Sequence, residues 1–531
     1  MGKFIIEGGH RLSGRVKVQG AKNAALPVLA ATVISRGEMT LFNCPEIRDV
    51  HNMLSILREL GVESYYDGDA LKISGRNARS SPMPQRLSKE LRSSIFMLGP
   101  LLSRFGEAVC AYPGGCEIGH RPVDLHLKGL AALGADIREE RGYIICDGHN
   151  MHGGEIHLDY PSVGATENIM MAAAAVPGDT VITNSAREPE IEELQNFLNS
   201  IGGDIRGAGT STIYIKGGME EVPAAAHRIM PDRIAAGTLM CAVAMAGGEA
   251  ELTDVCPEHI GSLISKLREA GCHISCGRDT LEIRAKGRPE EIKLIETLPY
   301  PGFPTDMQAQ IFALCTVADG TSVIVENLFE NRFRHCAELI KMGANITQKD
   351  RTAIVRGVEK LSGAVVYAKD LRGGAALTIA GLGAEGMTAV ENTEYIDRGY
   401  QRLDETLNSL GACIKREDGT QEGKNQSGKE RRTQGRQKAA SQPCVLCRHR
   451  AGKAALWRTL YKRAPKRTAR IWRRRAAKCQ EERAQGRIPA AARSRIGRHS
   501  HRLLFCAHNR PHRGRRQRKA GEGRGAHHIR T

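Results

Sequence analysis

The sequence predicts an α/β protein of two domains. Each is an inside-out α/β barrel of three repeats of about 70 residues, and a basic tail follows that belongs to neither. Three observations carry this prediction. Two glycine markers recur with one period, an apolar alanine-rich segment recurs in step with them, and the charge balance breaks abruptly near residue 420.

The first marker is a leucine-rich stretch closed by glycine and followed by a short strand-like run. It reads "LRELGVESYY", "LAALGADIRE", "LNSIGGDIRG", "LREAGCHISC", "LIKMGANITQ" and "LNSLGACIKR". Its glycines are Gly61, Gly134, Gly202, Gly271, Gly343 and Gly411, spaced 73, 68, 69, 72 and 68 apart. The second marker is the glycine entering an upstream strand: Gly37, Gly106, Gly178, Gly248, Gly320 and Gly386, spaced 69, 72, 70, 72 and 66. Two independent markers sharing one period define an internal repeat.

Each unit reads strand, helix A, strand, helix B, strand, strand. Helix A is "NAALPVLAATVI", "SIFMLGPLLS", "ATENIMMAAAAV", "RIAAGTLMCAVAMA", "DMQAQIFALCTV" and "GAALTIAGL" in the six units. These segments are apolar nearly all round and belong in a core. Helix B is amphipathic and should face solvent. Six units make two domains of three, and the sixth closes near residue 418.

A chain of 531 residues is long enough for two to four domains. With 41% hydrophobic and only 4% aromatic residues, the core must be aliphatic. The start, "MGKFIIEGGHRLSG", lacks the apolar stretch of a secretory signal. No apolar run approaches the roughly 20 residues that span a bilayer. Fifteen cysteines, several inside apolar segments, fit a reducing cytoplasm better than a disulfide framework. The net charge of +18 averages two unlike parts. Residues 421–531 hold 33 Lys+Arg against 5 Asp+Glu, whereas residues 1–420 hold 44 against 54. The body is mildly acidic, and no nucleic-acid partner is expected for it.

The starts of helix A carry Lys22 and Asn23, Arg92 to Ser94, Ser162 to Thr166, Asp232 and Arg233, Thr305 and Asp306, and Arg372 to Gly374. Ser, Thr and Asp are ordinary caps there. Lys22, Arg92, Arg233 and Arg372 are not, because a helix N-terminus already carries about half a positive charge. Helix B repeats the anomaly with Arg48, Arg121, Arg332 and Arg398, while units three and four carry Glu188, Glu190 and Glu258. Any one of these cations is as well explained by solvation or a neighbouring carboxylate. The set is better explained by a polyanionic small molecule held between helix ends in an interdomain cleft.

"AYPGGCEIGHRP", residues 111–122, places Cys116 beside two glycines and before Arg121 and Pro122. A lone cysteine is most simply a small buried hydrophobe. Its Gly, Glu, His and Arg neighbours argue instead for an exposed thiol acting as acid, base or nucleophile.

With this loop, "GAKNAALP" at 20–27, "PGGCEIGHRPVDLHLKGL" at 113–130, "PSVGATENIM" at 161–170, "PGFPTDMQAQ" at 301–310, "FENRF" at 329–333, "DLRGGAAL" at 370–377 and "YIDRGY" at 395–400, the chain resembles the UDP-N-acetylglucosamine 1-carboxyvinyltransferase family over essentially all of residues 1–418. The resemblance implies the enolpyruvyl transferase fold and two domains, one of residues 22–229 and one of residues 1–21 with 230–418, the N-terminal strands completing the last unit. It implies transfer of the enolpyruvyl group of phosphoenolpyruvate to the 3′-hydroxyl of UDP-N-acetylglucosamine, the first committed step of peptidoglycan precursor synthesis. Cys116 would protonate C3 of phosphoenolpyruvate, and Asp306 would be the general base. Lys22, Arg121 and Arg398 would hold the phosphate and carboxylate, Asn23 the tetrahedral intermediate, with Arg332 and Arg372 in support. Arg92, Arg121, Pro122, Val123, Asp124, Leu125, Ser162, Val163, Gly164, Asp306 and Leu328 would line the nucleotide-sugar site. The resemblance also implies covalent inactivation of Cys116 by fosfomycin. No metal or cofactor is expected, and no oligomeric state is implied.

The nearest rival is the sister 5-enolpyruvylshikimate-3-phosphate synthase family, which lacks the Pro-Gly-Gly-Cys loop. "GLGAEG" at 381–386 fits a dinucleotide motif but lies after a helix and before a strand, the reverse of the required context. Residues 419–531 depart from the family pattern. They read as a disordered Arg-rich segment, more in keeping with an out-of-frame or read-through extension than with a domain. Their basic runs would bind nucleic-acid phosphates non-specifically.

Overall fold

A computed structural model describes residues 2–80, 82, 83, 85–112, 123–220 and 222–418. The six units are present, each with its own sheet. In the third unit, Glu155–His157, Thr180–Thr183, Thr212–Lys216 and Asp204–Arg206 lie side by side in that order. The first pair is parallel and the others antiparallel. The fifth unit repeats this order with Leu294–Glu296, Thr321–Val325, Thr352–Arg356 and Asn345–Lys349.

Three strands are exchanged along the chain. Lys3–Glu7 lies between Met387–Glu391 and Cys413–Glu417 and completes the sixth sheet. Leu12–Lys17 does not join it, contrary to the expectation that both N-terminal strands close the last unit. It pairs parallel with Gly248–Thr253 and opens the fourth sheet. Ala224–Arg228 pairs parallel with Glu38–Phe42 and opens the first. Such pairings join residues hundreds of positions apart, which no local pattern reveals. The second sheet has three strands among the described residues. Where its opening strand was expected, Gln85–Glu90 is a helix. Leu87 and Leu91, both buried, stand four apart, a helical rather than an extended spacing.

The glycine marker has a structural cause. All six glycines that close helix B have positive φ, from +85° to +108°. Each ends its helix in the left-handed conformation that glycine adopts without penalty.

Helix A is Lys22–Ala31, Leu98–Phe105, Val163–Ala175, Arg233–Ala246, Gln308–Cys315 and Leu371–Gly383 in turn. The second and fifth are preceded by 3-10 turns, Arg92–Met97 and Thr305–Met307. These helices are buried on nearly every face, as their composition requires. The apolar core falls into two clusters. One is built from residues 21–230, the other from residues 4–18 and 234–414. Between them the chain passes twice. Gly20 bridges Pro231, Ala21 N donates to Met230 O (2.7 Å) and Asp232 N to Gln19 O (2.8 Å). No helix among the described residues is long and apolar enough to cross a membrane.

Candidate active site

The helix starts converge where the two core clusters meet. Lys22 opens its helix with no side-chain cap. Its Nζ lies 2.8 Å from Oδ2 of Asp49, in the first turn of the Arg48–Glu59 helix. Arg398, at the end of the Thr393–Arg398 turn, reaches the same carboxylate from the other cluster. Its Nε is 3.0 Å from Oδ1 and its Nη2 3.2 Å from Oδ2. One buried carboxylate thus holds two cations. Burial opposes the charge on Asp49, but Lys22 and Arg398 outweigh it and hold the carboxyl below its ordinary range. Burial, helped by Arg398 and Arg372, pushes Lys22 down despite Asp49.

A second cluster surrounds Asp306 in the Thr305–Met307 turn. Arg332 Nη2 donates to Oδ1 at 2.7 Å, and Arg372 Nη2 to Oδ2 at 3.1 Å. Asn23, next to Lys22, donates to Oδ2 at 3.5 Å and joins the clusters. Asp232 makes another link: Oδ1 caps its own helix through Ile234 N and Ala235 N, while Oδ2 accepts from Lys22 N at 3.2 Å. Burial opposes the charge on Arg372, but Tyr400, Asp306 and Asp232 raise it above its ordinary range, so it stays cationic. Its guanidinium sits 5.4 Å from the Tyr400 ring centre. Three guanidiniums, those of Arg332, Arg372 and Arg398, and the Lys22 ammonium therefore crowd a space between helix ends around Asp49 and Asp306, a setting that suits an anion.

On the third face, Ser162 caps Val163–Ala175 by accepting from Ala165 N at 3.4 Å. Gly164 backs onto His126, in the helix that Asp124 opens. Asn168 Nδ2 donates to Ile95 O and meets His126 Nδ1, each at 3.1 Å. The ring nitrogen facing that amide must accept, so its proton sits on Nε2. Burial, then the nearby Arg92 charge, pushes His126 down to about 4. Leu328 is tied to the second cluster through buried Glu326, which accepts from Leu328 N (2.9 Å) and Thr305 Oγ1 (2.9 Å).

Lys22, Asn23, Asp306, Arg332, Arg372 and Arg398 are thus brought together. Gly164 and the Arg92 charge lie near His126; Val123, Asp124 and Leu125 lead into the His126 helix, and Ser162 and Val163 open the helix that carries Gly164. Cys116, Arg121 and Pro122 lie outside the described residues, as does the tail from 419. Two cations in the expected set have other employment. Arg233 is buried in a bidentate pair with Glu190, Nε to Oε1 at 3.0 Å and Nη2 to Oε2 at 3.2 Å. Arg48 is exposed, while the next residue, Asp49, faces inward. Neither Arg332 nor Arg398 starts helix B: they precede Cys336–Lys341 and Leu403–Ser409 in turns. The carboxylates that gather these cations, Asp49 and Asp306, are separated from most of them by long stretches of sequence. Asp49 shows in the sequence only as an acid in a first helical turn beside Arg48.

This fold, with cations gathered between helix ends, defines a class. The chain matches the family model described as EPSP synthase (3-phosphoshikimate 1-carboxyvinyltransferase) over residues 6–407. The enolpyruvyl transferase NikO from Streptomyces tendae superposes with a TM-score of 0.71 at 24% identity, covering 79% of this chain and 99% of that one. An EPSP synthase from Acinetobacter baumannii superposes at 0.62 and 19% identity, covering 79% of this chain and all of that one. Nearer in sequence are proteins named UDP-N-acetylglucosamine 1-carboxyvinyltransferase. One from Caldanaerobacter subterraneus is 52% identical over 416 residues, 78% of this chain and 100% of its own length. One from Carboxydothermus hydrogenoformans is 50% identical over 421 residues, 79% of this chain and 99% of its own length. The chain belongs to the UDP-N-acetylglucosamine 1-carboxyvinyltransferase family of enolpyruvyl transferases.

Proposed function

We propose that the chain transfers the enolpyruvyl group of phosphoenolpyruvate to the 3′-hydroxyl of UDP-N-acetylglucosamine and releases phosphate. The observation that carries the reading is the convergence of Lys22, Arg398, Arg332 and Arg372 on Asp49 and Asp306, in a chain half identical to proteins named for that acceptor. Asp306 takes the hydroxyl proton as the sugar oxygen attacks C2, and the Cys116 thiol protonates C3. Loss of a proton from C3 then expels phosphate and leaves the enolpyruvyl ether. Lys22, Arg121 and Arg398 hold the phosphate and carboxylate and offset developing charge. Arg332 and Arg372 position Asp306 and support the phosphoenolpyruvate side. Asn23, already bonded to Asp306, is suited to the tetrahedral intermediate.

The division into residues 22–229 and residues 1–21 with 230–418 is part of this reading, supported by the two separate apolar clusters. Closure of the cleft would carry the Cys116 loop over the substrates. A cytoplasmic location accompanies it, and ten described cysteines as free thiols suit a reducing compartment.

The test is Cys116→Ala and Cys116→Asp, with UDP-N-acetylglucosamine and then 3-phosphoshikimate as acceptor. The alanine variant should bind UDP-N-acetylglucosamine without turnover. The aspartate variant should keep some activity with a lower pH optimum, since a carboxylic acid donates only while protonated. A fully active alanine variant refutes the role of Cys116. Turnover with the shikimate acceptor refutes the assigned substrate.

A further inference from the structure

We propose that Glu7, His10 and Cys413 form a site for one borderline-soft divalent cation of the zinc class, and that this ion staples the first strand of the body to its last. The inference is independent of the transfer reaction, whose residues it does not involve.

The site follows from register and one turn. Lys3–Glu7 and Cys413–Glu417 are antiparallel, with Glu7 opposite Cys413. Directly opposed residues project on the same face, and Cys413 Sγ lies 3.6 Å from Glu7 Oε2. The chain then turns through Gly8 and Gly9, whose amides donate to Gly386 O (3.2 Å) and Leu382 O (2.9 Å). A Cβ at Gly8 would meet Ala384 O at 2.0 Å, and Gly9 has φ +86°. Only glycines fit this path. It returns His10 over Glu7, with Nε2 3.9 Å from Oε1.

One ligand atom from each of the three lies within 4.8 Å of the others. A tetrahedral zinc with bonds of about 2.3 Å to sulfur and about 2.0–2.1 Å to nitrogen and oxygen needs ligand separations of about 3.4–3.6 Å. Small side-chain rotations reach that geometry. Thiolate, imidazole and carboxylate together select zinc-like ions over magnesium or calcium. All three groups are exposed, which leaves an entry path and a fourth position for water. Spacing along the sequence hides this cluster, because Cys413 stands 406 residues from Glu7.

The test is timed iodoacetamide alkylation of the full chain, read by peptide mass spectrometry with and without saturating Zn²⁺. Cys276, exposed and outside the cluster, is the internal control. Zn²⁺ at about ten times its Kd or more should slow alkylation of Cys413 by about tenfold or more, because only the unloaded thiolate reacts. It should leave Cys276 unchanged, and Mg²⁺ should protect neither. His10→Ala and Glu7→Gln should each abolish the protection while keeping wild-type turnover. Equal alkylation of Cys413 with and without Zn²⁺, or protection that survives either substitution, overturns the proposal.

Discussion

Replacing Asp49 by Asn keeps the shape of the side chain and removes the charge that holds Lys22 and Arg398. Taking one partner from a buried ion pair costs about 3–5 kcal/mol, because the other is left buried without compensation. The Lys22 and Arg398 side chains retain 12% and 14% exposure, so water recovers part of that loss. About 3 kcal/mol is the expected cost. Unfolding entropy of about 2.1 cal/mol/K per residue over roughly 400 residues converts this to a Tm lower by about 3–4 °C. Inorganic phosphate should recover part of it by occupying the place of the lost carboxylate, stabilising the variant more than the wild type. Without Asp49, nothing offsets the burial and neighbouring cations that push Lys22 down. The alkaline limb of kcat/KM for phosphoenolpyruvate should therefore move to lower pH. Calorimetry with and without phosphate and a pH–rate profile read these effects. An unchanged Tm together with an unmoved alkaline limb would refute the argument that Asp49 gathers the site's cations.

Glu167 is fully buried with neither oxygen bonded, and burial, then Glu190 and Glu188, pushes it well above the carboxylate range. The folded state therefore holds a proton that the unfolded chain gives up near pH 4–5. Stability is lost as pH rises from there to the raised folded value. Glu167→Gln should remove that slope, so its Tm advantage over the wild type grows with pH across this window; parallel Tm–pH curves would count against it. His126 shows the opposite sign. It titrates at about 4 when folded and near 6.5 when unfolded, so stability falls as pH drops through that interval. Denaturant melts of His126→Asn should lack this acid slope, and an identical slope would disprove the buried neutral ring.

Much of the architecture was legible because its causes are short-range. A left-handed turn after each helix B demands glycine, so Gly61 and its five counterparts announce the period. A further marker accompanies it: Asn43, Asn184, Asp254 and Asn392 occupy positive φ one residue after the strand that follows helix A, a conformation Asn and Asp tolerate best among side-chain-bearing residues. An alanine-rich helix with no polar face can only be interior, which held for Val163–Ala175. Cations at helix starts pointed to an anion site for the same local reason.

Amino-acid order by itself determined the units, their buried helices and the positive charge assembled at their ends, since each depends on residues a few positions apart. Only the tertiary structure decided which cations remain with the site and which acids hold them. Asp49 and Arg398 are 349 residues apart, and Arg233 is drawn to Glu190 across 43. A charge in a low-dielectric interior takes whichever partner the packing brings within hydrogen-bond reach, and that is a property of the folded chain rather than of any segment.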